Sequence, residues 1–281
     1  MAENSGLNHA TATDKPVPYS TGDSKITETT VAEMRELAAR YPEARSALLP
    51  MLHLVQSVEG RVTPEGIEIC AELLGLTGAE VSAVATFYTM YKRRPVGDYH
   101  VGVCTNTLCA VMGGDLIFDR LKQHLDVGND ETTEDGKITL EHLECNAACD
   151  YAPVMMVNWE FFDDMTPESA TQLVDDLRTG TEVKSPRGAT ICTWREAERV
   201  LAGFPDGRAD EGPAGGKASL AGLRLARERN WTAPSSNGGQ ADTGRAAEAT
   251  VSPEAAAGPR PSDQPGKESQ AVHDDDTRKE S

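Results

Sequence analysis

The sequence predicts an α+β chain: an antiparallel helical bundle over residues 26–95, a small α/β domain over 96–180, and a long, mostly disordered tail over 181–281. Three observations predict it. Apolar residues recur at helical spacing in four bounded segments between Thr27 and Tyr91. The period changes to two after Arg93-Arg94-Pro95. Beyond Gly180 periodicity is lost, and Gly, Pro, Ala, Ser and charge take over. Residues 1–25, polar and without periodicity, read as a disordered leader.

Thr29 or Thr30 can cap the first helix, VAEMRELAARY, which puts Val31, Met34, Leu37 and Ala38 on one face and stops at Tyr41-Pro42. The second, ARSALLPMLHLVQSV, spaces Leu48, Leu52, Val55 and Gln56 along a helix; Pro50 marks its first turn or a kink, and Gly60 stops it. Thr63-Pro64-Glu65 supplies a cap, an N1 proline and a first-turn acid for a third helix that ends at Leu74-Gly75. Thr77 with Glu80 forms a capping box for a fourth, expected to run through VSAVATFYTMY with its aromatic and methionine stripe in the core. Short connections between such helices imply antiparallel packing.

In the next region Asp98 to Cys104 alternates like a strand, Gly114 to Leu125 reads as a helix, and Lys137 to Cys145 alternates again. Pro153 to Val157 and a segment near Phe161-Phe162 are further strands, with Asn158 near the turn. Thr166-Pro167-Glu168 then caps a helix closed by Gly180. Strand, helix, three strands, helix is the order of a small α/β sandwich of the thioredoxin type. In the tail, ASLAGLRLARERNW spaces Leu220, Leu223 and Leu225 beside basic residues and reads as a transient helix able to dock on an acidic surface.

Hydrophobic residues make up 38% and aromatics 5% of the 281 residues, too few to fold the whole chain, so the compact part is expected in the middle. The net charge is -18, and residues 1–180 hold 29 acids against 13 bases. Such a surface repels phosphate backbones and anionic lipid, which excludes nucleic acid and direct membrane binding and favours a basic protein partner. No stretch approaches the roughly 18 to 20 apolar residues of a membrane span, so the expected location is cytoplasmic. In that reducing compartment clustered cysteines read as metal ligands or redox groups rather than disulfides.

Cys104 ends the first strand and Cys109 follows after TNTL; Cys145 ends the second long strand and Cys149 follows after NAA. If those strands are adjacent, two loops present four sulfurs to one point at the sheet edge. Gaps of four and three open a wider cage than the two-residue knuckles of structural zinc, favouring a binuclear iron-sulfur cluster over zinc. No Cys-x-x-Cys occurs, which excludes a dithiol enzyme. His142 has no counterpart in the other loop and reads as a strand-face residue, so a Rieske site is excluded. Gly102, Thr105, Asn106 and Gly113-Gly114 are small or polar enough to bring backbone N–H groups near sulfur. Cys70 reads as a small core residue, and Cys192 falls in the tail. Glu144 and Asp150 should disfavour an added electron, and their amides should raise the midpoint potential.

The stretch ATFYTMYKRRPVGDYHVGVCTNTLC, followed by LECNAACDYAPVMMVN, resembles the small 2Fe-2S subunit, the 24 kDa or E subunit, of bacterial NADH:quinone oxidoreductase, over roughly residues 26 to 180. The resemblance implies one 2Fe-2S cluster with Cys104, Cys109, Cys145 and Cys149 as ligands, in a subunit without catalytic side chains of its own. It also implies a flavin subunit as partner, carrying FMN and NADH, other peripheral-arm subunits, and attachment to the inner face of the membrane only through the complex. No Gly-rich phosphate loop occurs in a strand-to-helix setting, in keeping with NADH and flavin binding elsewhere. Equivalent subunits of NAD-linked formate dehydrogenases or hydrogenases share the cysteine motif. A free-standing ferredoxin-like carrier and a zinc interaction module remain the other readings.

Overall fold

A computed structural model describes residues 24–212 and 216–232; the leader to residue 23 and the tail from residue 233 lie outside the described residues. The chain divides into two compact units, Met1–Leu223 and Arg224–Ser281. In the first, helices α1 (Glu28–Ala39), α2 (Leu48–Glu59), α3 (Pro64–Leu74) and α4 (Gly78–Phe87) enclose one core that includes Met34, Leu37, Leu52, Val55, Leu73 and Val81. Thr27, not Thr29 or Thr30, caps α1: its extended backbone frees the hydroxyl to accept the Thr30 N–H, and Thr30 reciprocates. Pro50 sits in the first turn of α2, where a missing N–H costs nothing. Among the described residues no single helix is long and apolar enough to cross a membrane; α3 and α4 pass together by composition but bend by 119° between them.

The fourth helix is shorter than its periodicity suggested. The Thr86 hydroxyl donates back to the Ser82 and Ala83 carbonyls at 2.9 and 3.0 Å, and Tyr88 turns to extended backbone. Phe87 is 79% exposed and Tyr88 40%, so the expectation of a core stripe fails there. Of the predicted VSAVATFYTMY segment Val81, Ala85 and Tyr91 are buried, with the Tyr91 hydroxyl donating to the Leu49 carbonyl.

The sheet has the order β2-β3-β1-β4-β5, from β1 (Tyr99–Cys104), β2 (Glu131–Thr132), β3 (Ile138–Leu143), β4 (Met155–Val157) and β5 (Glu160–Phe162). β1 runs parallel to β3 and antiparallel to β4. The parallel pair is linked through α5 (Thr107–Val111) and the crossover helix α6 (Gly114–Leu125), and α7 (Pro167–Thr179) packs beside α6. Ile117, Leu121, Leu173, Val174 and Leu177 of these helices share a second core with Val101, Val103, Ile138, Leu140 and Val157 of the strands. Two-residue β2 and five-residue α5 are too short to leave a periodic signal.

The expected tail is corrected over residues 184–204. Lys184 pairs with Thr190 in an antiparallel bridge, and helix α8 (Trp194–Leu201) packs along α2. Trp194 is fully buried, its ring 5.3 Å from that of His100 and 5.5 Å from that of Trp159. Glu198 is also fully buried and is met by His53 Nδ1 and Gln56 Nε2, both at 2.6 Å, and by Trp159 Nε1 at 3.1 Å. Three donors satisfy the carboxylate, and the segment thereby joins the helical core to the sheet. A charge in the core is what hid α8, because apolar periodicity scores Glu198 as surface. Thr193-Trp194-Arg195-Glu196 is nevertheless a capping box that the sequence displayed. Helix α9 (Ala221–Glu228) forms within the predicted ASLAGLRLARERNW segment and buries none of its residues.

A second polar network links the linker after α4 to the sheet. Glu141 of β3 accepts hydrogen bonds from His100 Nε2 at 2.6 Å and from Lys92 Nζ. Burial pushes its carboxyl up, but the hydrogen bonds and charges of His100 and Lys92 outweigh burial and hold it at about 2, below the ordinary 4.5. Because the folded value is depressed, the stabilisation is complete above the unfolded carboxylate range and is lost as pH falls from about 4.5 toward 2. Glu141→Gln is therefore expected to lower urea stability at neutral pH, and the gap to the parent chain should narrow steadily on acidification through that window. A gap independent of pH would remove the charge account.

Candidate metal centre

Cys104 is the last residue of β1 and lies opposite Leu143, the last residue of β3, so the chain leaving β3 reaches Cys145 two residues later beside it. The Cys104 N–H donates to the Val154 carbonyl at 3.0 Å and the Thr105 N–H to the Leu143 carbonyl at 3.4 Å, pinning three segments at one sheet edge. From there α5 carries Cys109, while Cys149 opens a short 3-10 turn, Cys149–Tyr151. All four cysteines line one cavity of about 320 Å³, together with Asn106, Thr107, Leu108 and Val111.

The donor set has two sides. Cys104 and Cys109 are buried with Ala148 and Val154 and packed against Phe161, whereas Cys149 is half-buried and Cys145 exposed. The Cys145 and Cys149 sulfurs lie 3.6 Å apart. Two thiolates on one tetrahedral metal, with bonds of about 2.3 Å, stand roughly 3.8 Å apart. The Cys145–Cys149 pair therefore has the spacing of two ligands to one metal. Among the described residues no group of three or more His, Cys, Asp or Glu forms a site for a single metal ion. A binuclear centre would spread four thiolates over two metals, and the cavity offers that donor set, four cysteine sulfurs and, among the described residues, no histidine or carboxylate.

Burial pushes the Cys109 thiol up to about 11, with Cys104 and Cys149 adding to the effect against a hydrogen bond from the Val154 backbone. Cys149 is also raised, first by its hydrogen bond with Cys145 and then by burial and the neighbouring sulfurs. Cys109 and Cys149 thus hold their protons at neutral pH, and a metal must displace them on binding.

Asn106 lines the cavity, and Gly114 lies against the backbone of two of the cysteines: a Cβ there would stand 2.4 Å from the Cys104 carbonyl oxygen and 2.9 Å from that of Cys109. Only glycine lets α6 begin so near both ligand backbones. Gly102 does not serve sulfur; its missing Cβ makes room for Leu143, which would be met at 2.2 Å. The backbone donors to sulfur are instead Ala147, whose N–H lies 3.4 Å from Cys145 Sγ, and Val154. Neither was named from sequence, although the three-residue Asn146-Ala147-Ala148 gap forces a tight loop, with Ala147 left-handed at φ 56.

Asn106 Nδ2 donates to Glu144, tying the two cysteine loops together, and Asp150 accepts from Ser219 Oγ at 3.0 Å. His142 packs edge-on to Phe118 at 6.0 Å and does not line the cavity. Cys70 is fully buried in the helical core, where burial pushes its thiol up to about 12. Cys192 lies half-buried in the docked segment before α8.

Residues 34–178 match the family described as thioredoxin-like [2Fe-2S] ferredoxin. The E subunit of the NADH-quinone oxidoreductase of Mycobacterium tuberculosis (strain ATCC 25618 / H37Rv) is 64% identical over 207 residues, 73% of this chain and 82% of that one. The corresponding protein of Rickettsia bellii (strain RML369-C) is 39% identical over 146 residues, 51% of this chain and 87% of that one. Among solved structures, an NAD+-reducing [NiFe]-hydrogenase in the H2-reduced state overlaps with a TM-score of 0.43 at 17% identity. That overlap covers 47% of this chain and 22% of the hydrogenase chain.

Proposed function

The chain belongs to the thioredoxin-like [2Fe-2S] ferredoxin family, and from that premise we propose that it is the 2Fe-2S electron-transfer subunit of the NADH-oxidising module of an NADH:quinone oxidoreductase. The observation that carries the reading is the single cavity lined by Cys104, Cys109, Cys145 and Cys149. Those four residues would hold one 2Fe-2S cluster, which when bound takes up and releases a single electron. Cys104 and Cys109 anchor it on the buried side, where Ala148, Val154 and Phe161 keep water from the sulfurs. Cys145 and Cys149 close it at the mouth. No side chain is asked to make or break a bond; oxidoreductase activity belongs to the assembly.

The purified full-length chain should contain iron and acid-labile sulfide in equal amounts, absorb in the visible, and give a low-temperature EPR signal after reduction. Colourless, EPR-silent protein containing one zinc would replace the electron carrier with a structural module.

The partner proposed is the flavin subunit that binds NADH, with the complex held at the inner face of the membrane by its other subunits. Support comes from the rim of the cavity. Val111 is 78% exposed, Leu116 65%, Met112 57% and Leu108 45%, an apolar patch beside the ligands that water alone does not favour. Leu116→Asp, on the patch but outside the cavity lining, is expected to weaken co-purification of the flavin subunit by at least about tenfold while leaving the iron content intact, since a charge would be buried unpaired. Undiminished co-purification would place the contact elsewhere.

A further inference from the structure

Residues 184–190 and 216–219 lie beyond the 34–178 stretch shared with the family, yet both return to the turn that carries Cys149. Ser185 is buried, and its hydroxyl donates to the Phe161 carbonyl at 2.7 Å. Two residues on, Arg187 grips Asp163 through two hydrogen bonds of 2.9 Å and lays its guanidinium 4.1 Å over the Phe161 ring and 5.9 Å from that of Tyr151. Phe161 in turn packs against the buried cysteines. From the second segment, Ser219 Oγ donates to Asp150 at 3.0 Å and the Ala218 N–H to the Tyr151 hydroxyl at 3.3 Å. Gly216 passes so close that a Cβ would stand 1.9 Å from that hydroxyl. The contacts thus fall on Asp150 and Tyr151, which follow Cys149 in one turn, and on Phe161 behind Cys104 and Cys109.

We propose that these two segments form a strap whose Arg187 and Ser219 position the Cys149 turn and raise the reduction potential of the cluster by offsetting the carboxylates of Asp163 and Asp150. The inference rests on the four-cysteine reading above and adds positioning residues to it. Reduction adds negative charge to the centre, and the nearby carboxylates of Asp150 and Asp163 oppose it; the Ser219 hydroxyl donating to Asp150 and the Arg187 guanidinium paired with Asp163 counter that opposition. Holding the turn also slows the opening through which iron escapes.

The test uses the full-length holoprotein carrying Arg187→Ala, Arg187→Lys or Ser219→Ala, with the midpoint potential from an EPR-monitored redox titration and iron release to a chelator as readouts. Arg187→Ala is expected to make reduction up to about tenfold less favourable, a shift of about 59 mV to more negative potential, and to release iron at least about threefold faster. Arg187→Lys, which keeps the charge, should shift the potential by less than half as much. Ser219→Ala, at an exposed site, should give a smaller negative shift with the fold intact. Parental potentials in Arg187→Ala and Ser219→Ala overturn the strap while leaving the cluster reading untouched. If Arg187→Ala fails to fold, Ser219→Ala decides: a negative shift supports the strap and an unchanged midpoint overturns it. A parent chain that binds no 2Fe-2S cluster overturns both readings.

Discussion

Alanine at Cys145 is expected to strip the chain of iron without changing the stability of the apoprotein, whereas alanine at Cys109 should strip the iron and destabilise the apoprotein as well. The contrast follows from burial. Cys145 is exposed at the mouth, so its sulfur contributes little to packing, while Cys109 is buried among Ala148 and Val154 and its removal leaves a small void worth about 1 kcal/mol. Loss of an outer hydrogen-bond partner alone weakens metal sites by about 10–100-fold, so loss of a ligand should cut retained iron by more than about tenfold. Iron analysis of the holoprotein and urea denaturation of the apoprotein check the two halves separately. Iron retained near parental levels in Cys145→Ala would remove that residue from the ligand set.

Trp194→Ala is expected to cost about 3–5 kcal/mol, among the largest effects of a single truncation, because a fully buried indole between His100 and Trp159 leaves a cavity the neighbours cannot close. The size matters because Trp194 lies outside the stretch shared with the family. Trp194→Phe should cost much less. Its indole Nε1 is buried with no hydrogen-bond partner among the described residues, so phenylalanine removes an unsatisfied donor while keeping most of the apolar volume. Chemical denaturation of both variants checks the order. A Trp194→Ala loss below about 1 kcal/mol would mean that residues 184–204 dock too weakly to belong to the folded body.

Legibility from sequence tracked the kind of force that fixes each element. Thr63, Thr77 and Thr166 act through the next three residues, and those helix starts were readable to the residue. The meeting of the four cysteines in one cavity was readable because each pair is local in sequence, and strand adjacency then needed only the β-α-β order. What stayed hidden depends on partners far along the chain. Glu198 is a core residue only because His53, Gln56 and Trp159 meet it, and Phe87, the last residue of α4, is exposed although Val81 and Ala85 of the same helix are buried. Ala147 and Val154 act on sulfur through backbone N–H groups, which side-chain identity does not reveal.

The parallel pairing of β1 with β3 also sets a calendar for the molecule's biogenesis. A nascent chain that has emerged through Leu125 carries Cys104 and Cys109 but not the strand that brings Cys145 and Cys149, so half a site stands without its complement. Closure across the crossover is non-local and slow relative to helix formation. Loading therefore follows translation of the whole α/β region, and during that interval the first thiol pair is open to oxidation or to a wrong metal.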